Sequence, residues 1–332
     1  MTTVAVLGAG SWGTTLADLL ARQGIHTRLW AYETEVAESI RTRHENSTYL
    51  VGCPLDPRLE STSDLATALS DADLICSVVP SHVARAVLTQ AAPFIKPGTR
   101  LACATKGIET DTLDLMHEVA AEVLPGVTFV ALSGPSFAQE VYQRQPTAVV
   151  AASDDPAAAT AVQELFASPE FRVYTGEDVV GVELAGSLKN VMAIAAGMLE
   201  GLGLGHNPRA ALITRGLAEI TRLGEALGAD PLTFAGLAGM GDLILTCTGG
   251  LSRNRQLGVG LAQGTTLDDW RTTHRTVAEG VNTALAAARL AERHGVEMPI
   301  TNQVKAILFD DVTPAEAIRV LMDRTLKSER WG

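Results

Sequence analysis

Lys189 stands out among the residues able to do chemistry. Lys189 and Asn190 are the only strongly polar side chains between Glu183 and Glu200, in an otherwise apolar helical pattern. Burying a lysine disfavours its charged form and lowers its pKa, which suits proton transfer near neutral pH. A lysine that reaches the helix surface is the commoner case. Here apolar residues flank Lys189 on every face of the helix, which favours a functional role.

Two further polar segments follow candidate strands. Lys106 lies in residues 104–107, and residues 133–138 contain Gly134 and Ser136 among small residues. The carboxyl ends of strands are where ligands bind in parallel sheets, and free N–H groups in such a loop attract anions. A surface lysine and an ordinary turn remain open alternatives for these two segments.

A fourth segment combines an acid with a basic helix start. Asp242 is a candidate to form a hydrogen bond with either a substrate hydroxyl or the ammonium of Lys189. Ser252 is predicted to cap a helix whose N-terminus, with Arg253 and Asn254, holds a phosphate group. Taken alone, residues 252–255 are better explained as a solvated cap with two surface arginines.

A glycine turn near the N-terminus predicts a dinucleotide site. Residues 4–7 form an apolar run that leads into Gly8, Gly10 and Gly13 in the spacing G-x-G-x-x-G, and a helical pattern follows at once. Gly8 permits a tight turn, Gly10 leaves room for a pyrophosphate, and Gly13 lets the helix pack on the strand. The strand–turn–helix context makes this motif more specific than the spacing alone.

The residues after the second strand bear on cofactor choice. Glu33 lies 20 positions after Gly13, where an acidic residue bonds the adenosine ribose in NAD-binding folds. No Arg immediately follows the strand to hold a 2′-phosphate. Glu33 is also suited to the first turn of the next helix, so NAD and NADP both stay open.

Alternating strands and helices must position these groups in the first half of the chain. Most candidate strands are continuous apolar runs, as expected when both sheet faces are covered. The predicted strands are 4–7, 27–31, 74–79, 101–104, 128–132, 148–151 and 171–174. The predicted helices are 12–23, 33–43, 81–91, 112–123 and 156–167. This alternation indicates an α/β class with a doubly wound, Rossmann-like, mostly parallel sheet.

The second half has helical patterns and no convincing strand, which predicts an all-α C-terminal domain. Its predicted helices are 179–199, 209–227, 233–238, 254–263, 267–271, 278–294, 301–309 and 314–321. We therefore expect a dinucleotide-binding domain at 1–178 and a helical substrate-binding and catalytic domain at 179–332. No flexible spacer separates them, so a cleft between tightly packed domains is expected.

Composition excludes several classes of partner. The net charge is −12, which argues against nucleic acid because binding polyphosphate needs a basic face. The apolar stretch 179–204 contains charged residues too costly for a lipid-facing span, so no membrane span is expected. The four cysteines have no metal-ligand or disulfide spacing. Reduced thiols, a cytoplasmic location and no metal site are expected, and His82 and His206 have no assigned role.

Together the motifs resemble bacterial NAD(P)-dependent glycerol-3-phosphate dehydrogenase. The resemblance rests on five segments in that family's order: 8–13, 104–107, 133–138, 186–190 and 241–254. It implies interconversion of dihydroxyacetone phosphate and sn-glycerol 3-phosphate with NAD(P)H, supplying glycerophospholipid synthesis. At the position of Tyr32, family members often carry His, Arg or Lys, so NADP preference is in doubt for this chain.

The resemblance also implies roles for individual residues. Lys189 would accept the alcohol proton, or donate it in the reductive direction. The implied substrate contacts are Lys106, Gly134, Ser136, Lys189, Asp242, Ser252, Arg253 and Asn254. The cofactor contacts, with the turn glycines included, are Gly8, Gly10, Ser11, Trp12, Gly13, Tyr32, Tyr49, Lys106, Ala138, Arg253, Val277 and Glu279.

Two other functions are weighed against this one. A related two-domain dehydrogenase acting on a β-hydroxyacid or 6-phosphogluconate is disfavoured by residues 252–254 after Asp242. A non-catalytic nucleotide sensor is disfavoured because Lys189, Asp242 and Arg253 occur together. A homodimer is a hypothesis suggested by the small apolar residues of the helical half.

Overall fold

One eight-stranded sheet forms the first half of the molecule. The computed structural model describes residues 2–273, 278–326 and 328–329. The strands are β1 (Thr3–Leu7), β2 (His26–Trp30), β3 (Glu60–Thr62), β4 (Leu74–Ser77), β5 (Arg100–Cys103), β6 (Thr128–Ser133), β7 (Thr147–Ala152) and β8 (Phe171–Gly176). Their order is β3-β2-β1-β4-β5-β6-β7-β8. Only β7 runs antiparallel to its neighbour β6, and β8 is parallel to β7, so the predicted mostly parallel, doubly wound class is confirmed.

Strand β3 is the strand that the sequence analysis missed, and the short helices at Leu65–Leu69 and Asp242–Thr248 were not predicted either. Strand β3 has three residues and pairs with β2 at the edge of the sheet. A run this short carries no apolar periodicity of its own. Pairing with β2 makes it a strand, so local sequence could not reveal it.

Helices cover both faces of this sheet. They are α1 (Ser11–Arg22), α2 (Thr34–Arg43), α3 (Leu65–Leu69), α4 (Ser81–Ala91), α5 (Met116–Val123), α6 (Ala138–Tyr142) and α7 (Pro156–Phe166). The predicted helix at 112–123 is too long, because Leu113 adopts a positive φ of 72°. The Glu118 carboxylate then accepts a hydrogen bond from the backbone N–H of Leu115 and fixes the later start.

Helices make up the second half, and no strand occurs after Gly176 within the described ranges. They are α8 (Val179–Gly201), α9 (His206–Ala226), α10 (Pro231–Phe234), α11 (Asp242–Thr248), α12 (Arg253–Ala262), α13 (Leu267–Thr273), α14 (Gly280–Arg293), α15 (Pro299–Phe309) and α16 (Pro314–Met322). Several start at a side-chain cap, of which only Ser252 was predicted: Asp178, Asp230, Ser252 and Thr313 each accept a bond from a backbone N–H of the first turn.

The predicted helix at 233–238 is wrong. Helix α10 ends at Phe234, and a π-helical turn spans Leu237–Gly241. Gly236 has an extended backbone, and a Cβ on Gly239 would lie 2.1 Å from the carbonyl oxygen of Phe234. Glycine at both positions therefore permits a tight reversal that leads into Asp242 and α11.

Helix α8 is the centre of the helical half. It packs against α9, α11, α12 and α14, and its apolar residues form one core cluster with theirs. Two stretches are long and apolar enough to cross a membrane, Val179–Gly201 and Pro231–Thr248. In the first, 94% of the most apolar window is buried inside the protein. The second is divided into α10, the π-helical turn and α11.

Candidate active site

The glycine turn between β1 and α1 has the geometry of a pyrophosphate cradle. Gly8 has a φ of +110°, and a Cβ on Gly13 would lie 1.9 Å from the carbonyl oxygen of Gly8. Gly10 has no atom within 4 Å of where its Cβ would be, and it gives α1 no side-chain cap. Ser11 and Trp12 form the first turn of α1, whose free N–H groups favour an anion. The turn therefore fits a dinucleotide.

Asn46 holds this turn and was assigned no role of its own by sequence. Its side-chain amide donates to the carbonyl oxygen of Ala9 (2.8 Å) and to Oγ1 of Thr14 (2.8 Å). Its Oδ1 accepts from the backbone N–H groups of Thr48 (3.2 Å) and Tyr49 (2.9 Å). Because Asn46 is fully buried, it fixes the loop after α2 against the turn. No local spacing signals such a contact.

The two tyrosines predicted near the adenosine differ in environment. The ring of Tyr32 is 80% exposed and meets Trp30 edge-on. Tyr49 is partly buried and donates its hydroxyl to Glu33 Oε1 at 2.6 Å. Glu33 is the N-cap residue of α2, three residues past the end of β2.

Lys189, Asp242 and Lys106 meet at the junction of the two halves. Asp242 accepts hydrogen bonds from the ammonium of Lys189 through one carboxylate oxygen and from that of Lys106 (2.6 Å) through the other. Lys189 also donates to Thr246 Oγ1 at 2.9 Å. The predicted bond between Asp242 and Lys189 is confirmed. One carboxylate thus aligns two ammonium groups that come from α8 and from the loop after β5.

Burial sets the electrostatics of this cluster. Lys189 is 8% exposed and Asp242 is fully buried. Desolvation lowers the pKa of Lys189 to about 7, although the Asp242 carboxylate acts against that shift. Burial alone would raise the pKa of Asp242, but the charges of Lys106 and Lys189 hold it below its usual value. Lys189 can therefore exchange a proton near neutral pH while Asp242 stays ionised.

The loop after β6 closes one side of the cluster. Gly134 has a φ of +146°, and a Cβ there would lie 2.8 Å from the Cα of Val149. Ser136 donates its hydroxyl to the carbonyl oxygen of Gly134 at 3.0 Å. Ala138 begins α6, and its carbonyl oxygen accepts from Thr15 Oγ1 of α1 (3.2 Å). This loop therefore contacts the cofactor helix, and its Pro135 lies beside Gly241, the residue before Asp242.

Helix α12 presents its N-terminus to the same region. Ser252 is its N-cap and accepts from the backbone N–H of Arg255 (3.2 Å), as predicted. The Asn254 side chain donates to Asn190 Oδ1 (3.0 Å) and accepts from the N–H of Gly280 (3.0 Å). Asn254 therefore ties α12 to the residue beside Lys189, and its side chain is already engaged. Its backbone N–H is the group left for an anion.

Arg253 and Glu279 mark the other end of the site. Arg253 is exposed, and within residues 2–273 and 278–326 no hydrogen bond or ion pair engages its guanidinium. Glu279 precedes α14 and accepts a bond from Ser81 Oγ at 2.8 Å. Burial raises the pKa of Glu279. Ser81, at the start of α4, is a contact that sequence analysis missed, since 198 residues separate the partners.

The remaining predicted residues are placed as follows. Val277 lies outside the described residues. His206 is the exposed first residue of α9. His82 is exposed beside Ser81, and its charge opposes the burial that raises the pKa of Glu279. All four cysteines are buried free thiols, as expected.

Family models cover most of the chain. The model described as the N-terminus of NAD-dependent glycerol-3-phosphate dehydrogenase matches residues 3–159, and the model of its C-terminus matches residues 178–319. The chain belongs to the NAD-dependent glycerol-3-phosphate dehydrogenase family. The resemblance drawn from the five motifs is thereby confirmed, and the protein is an oxidoreductase.

Members of the glycerol-3-phosphate dehydrogenase family from several bacteria align along the whole chain. A "Glycerol-3-phosphate dehydrogenase [NAD(P)+]" of Geobacter sulfurreducens is 59% identical over 331 residues, covering 99% of each protein. One from Geobacter metallireducens is 56% identical and covers 98% of each.

Solved structures agree with this assignment. The crystal structure of glycerol-3-phosphate dehydrogenase from Coxiella burnetii has a TM-score of 0.94 and 42% identity, covering 97% of this chain and 99% of that one. A D-mandelate dehydrogenase in complex with NADH has a TM-score of 0.62 at 14% identity, which shows a shared fold alone. Nothing in these comparisons favours the β-hydroxyacid alternative.

Proposed function

We propose that this chain interconverts dihydroxyacetone phosphate and sn-glycerol 3-phosphate, with Lys189 as the proton donor and acceptor. The observation that carries this proposal is the buried ammonium of Lys189, held by Asp242 at the junction of the sheet and the helical half. Reducing a ketone leaves negative charge on its oxygen, which needs a proton from a nearby group. Lys189, with a pKa near 7, meets that need.

Several groups are suited to holding the phosphorylated ketone. Lys106 and the guanidinium of Arg253 supply positive charge, and the N-terminus of α12 adds free backbone N–H groups. The substrate contacts that we propose are Lys106, Gly134, Ser136, Lys189, Asp242, Ser252, Arg253 and the backbone of Asn254. In this scheme Asp242 orients both lysines, because each of its oxygens already accepts one ammonium.

The glycine turn and its neighbours would hold the dinucleotide, which supplies the hydride when bound. The open space at Gly10 and the uncapped start of α1 support this assignment. The cofactor contacts that we propose are Gly8, Gly10, Ser11, Trp12, Gly13, Tyr32, Tyr49, Lys106, Ala138, Arg253, Val277 and Glu279. Residues 1–178 would then form the dinucleotide-binding domain and 179–332 the substrate-binding and catalytic domain.

The cellular setting of the reaction is also proposed. The bacterial relatives are both named glycerol-3-phosphate dehydrogenase. We place the protein in the cytoplasm, where its product would supply glycerophospholipid synthesis. We further propose a homodimer. Sedimentation equilibrium measures the mass directly, and a value near the 34.9 kDa of one chain would contradict the dimer.

A steady-state assay tests the proposed reaction. Purified protein is given dihydroxyacetone phosphate with NADH or NADPH, and oxidation of the nicotinamide is followed by absorbance. Ketones derived from β-hydroxyacids and from 6-phosphogluconate serve as comparison substrates. We expect turnover with dihydroxyacetone phosphate to exceed all of them. Turnover with one of the comparison ketones and none with dihydroxyacetone phosphate would overturn the proposal.

A further inference from the structure

The end of strand β2 lies beside the glycine turn. The backbone N–H of Gly8 donates to the carbonyl oxygen of Trp30 at 3.0 Å, and Glu33 follows three residues later with an extended backbone. In folds of this kind an acidic residue about 20 positions after the glycine motif bonds the adenosine ribose, and Glu33 lies 20 positions after Gly13. Glu33 is therefore the acidic group nearest to where a 2′-hydroxyl or 2′-phosphate would lie.

The Glu33 carboxylate is held in place by a chain of hydrogen bonds. Tyr49 donates its hydroxyl to Glu33 Oε1 at 2.6 Å. The backbone N–H of Tyr49 donates to Asn46, which in turn donates to Ala9 within the glycine turn. Glu33 is thus fixed relative to the turn itself. Within the described residues no hydrogen bond engages Oε2 of Glu33, which leaves it able to accept one from a hydroxyl.

Basic residues are absent from this end of α2. Residues 30–40 contain no Lys or Arg. The arginines of α2 are Arg41 and Arg43 in its last turn, roughly 10 to 14 Å along the helix from its start. They form ion pairs with Glu38 (3.8 Å) and Glu45 (3.2 Å). A 2′-phosphate would therefore face a fixed carboxylate, and residues 30–40 offer it no Lys or Arg.

We infer that the Glu33–Tyr49 pair selects NAD(H) over NADP(H). This inference rests on the proposed function, since it concerns which dinucleotide the same site takes. The carboxylate accepts a hydrogen bond from the ribose 2′-hydroxyl and repels a 2′-phosphate. Tyr49 keeps the carboxylate from turning away, so repulsion of the phosphate cannot be relieved by rotation of the side chain.

Binding and kinetics test this pair together. Dissociation constants for NADH and NADPH are measured by nucleotide fluorescence without substrate, and kcat/KM for each is measured with dihydroxyacetone phosphate. We expect the wild type to favour NADH at least about tenfold in both, a preference that corresponds to about 1.4 kcal/mol. Equal or tighter binding of NADPH by the wild type would overturn the inference.

Variants separate the pair from its surroundings. Glu33→Gln removes the charge and should reduce the NADH preference at least about fivefold, chiefly by strengthening NADPH binding. Tyr49→Phe should reduce it by a smaller factor. Glu35→Gln is the matched control, because Glu35 is an exposed acid in the same first helical turn. It should leave the preference unchanged. An unaltered preference in Glu33→Gln, or in Tyr49→Phe, would contradict selection by the pair.

The outcomes distinguish this inference from the proposed reaction. Reduction of dihydroxyacetone phosphate with equal use of both nucleotides would contradict the proposed selectivity and support the proposed reaction. A clear binding preference for NADH without reduction of dihydroxyacetone phosphate would support the selectivity and contradict the proposed reaction. Thermal unfolding of each variant shows whether the loop after α2 stays intact, since Tyr49 packs against the sheet core.

Discussion

At the scale of single residues, Lys189 owes its chemistry to what surrounds it. It lies within the 23-residue, largely buried helix α8, and the cost of burying a charge is what lowers its pKa. Asp242 prevents the lysine from becoming neutral altogether, since the carboxylate favours the charged form. The balance leaves Lys189 able both to give and to take a proton near pH 7.

Replacing Lys189 should separate chemistry from cofactor binding. In Lys189→Met we expect kcat to fall by about 10²–10⁴, the usual contribution of a general acid or base. The dissociation constant for NADH should change little, because the hydrogen bonds of Lys189 go to Asp242 and Thr246 and not to the glycine turn. Lys96→Met, at an exposed lysine paired with Asp71, is the control and should keep full activity. Loss of NADH binding in Lys189→Met would contradict the assigned role.

The two directions of the reaction should respond oppositely to pH. Ketone reduction needs the charged form of Lys189, so kcat/KM should fall as the pH rises through the pKa of about 7. Alcohol oxidation needs the neutral amine, so its kcat/KM should rise over the same interval. Initial rates from pH 5.5 to 9 in both directions measure this. If kcat/KM changed in the same direction with pH for both reduction and oxidation, the role of Lys189 as proton donor and acceptor would be contradicted.

At the scale of elements, glycines let α8 and α12 approach closely. A Cβ on Gly197 would lie 1.9 Å from the carbonyl oxygen of Arg255, and one on Gly258 would lie 2.0 Å from that of Ile194. Both contacts are with backbone, which cannot move aside without shifting a helix. The close crossing sets the N-terminus of α12, with Arg253, beside Asn190 and Lys189.

Two glycines of α12 should therefore respond oppositely to alanine. Gly258→Ala places a methyl group against α8, and overpacking of this kind costs about 1–3 kcal/mol of unfolding free energy. Gly260→Ala is the matched control, since its nearest neighbour lies at an ordinary 3.5 Å. It should stabilise the helix by about 1 kcal/mol through propensity. Urea unfolding of both variants measures this, and equal effects would disprove the close-packing argument.

At the scale of the whole molecule, side-chain contacts join the sheet to the helical half. Lys106 reaches Asp242, Ser81 reaches Glu279, and His117 of α5 pairs with Glu183 of α8 through Nδ1 at 2.5 Å. The first two lie at the candidate site, whereas the third lies beneath it at the start of α5. The junction is therefore polar and partly titratable, which makes its stability depend on pH.

The His117–Glu183 pair should stabilise the protein at acidic pH. Burial alone would lower the pKa of His117, but the hydrogen bond and charge of Glu183 outweigh it and raise that pKa. A raised histidine pKa stabilises the folded state fully below about 6.5, its unfolded value. The contribution disappears as the pH rises through the folded pKa.

Urea unfolding of His117→Asn between pH 5.5 and 8.5 tests this dependence. We expect the variant to be less stable than the wild type by about 1.5–3 kcal/mol at pH 5.5, as for a hydrogen bond to a charged group. The difference should shrink towards pH 8.5. His294→Asn, at an exposed histidine, is the control. A difference that stays constant or grows with pH would contradict the pair's role.

Local signals determined a large part of this protein. The spacing of Gly8, Gly10 and Gly13 predicted the turn, because these glycines meet the steric needs of a backbone turn that is only six residues long. Apolar periodicity predicted most strands and helices, because it repeats over a few residues. Residue type and an apolar setting were enough to single out Lys189. The edge strand β3, the short helices α3 and α11 and the break at Gly236 were not predicted from the sequence.

Tertiary structure alone decided which groups meet. Lys106 and Asp242 are separated by 136 residues, and Ser81 and Glu279 by 198, so no spacing along the chain relates them. The Asn46 bonds that hold the glycine turn and the Tyr49 bond that fixes Glu33 likewise arise only when the loop after α2 folds back. Sequence specifies the elements through short-range sterics and periodicity. The side chains of the site come together because the helices and the sheet bury their apolar faces against each other, which brings distant segments into contact.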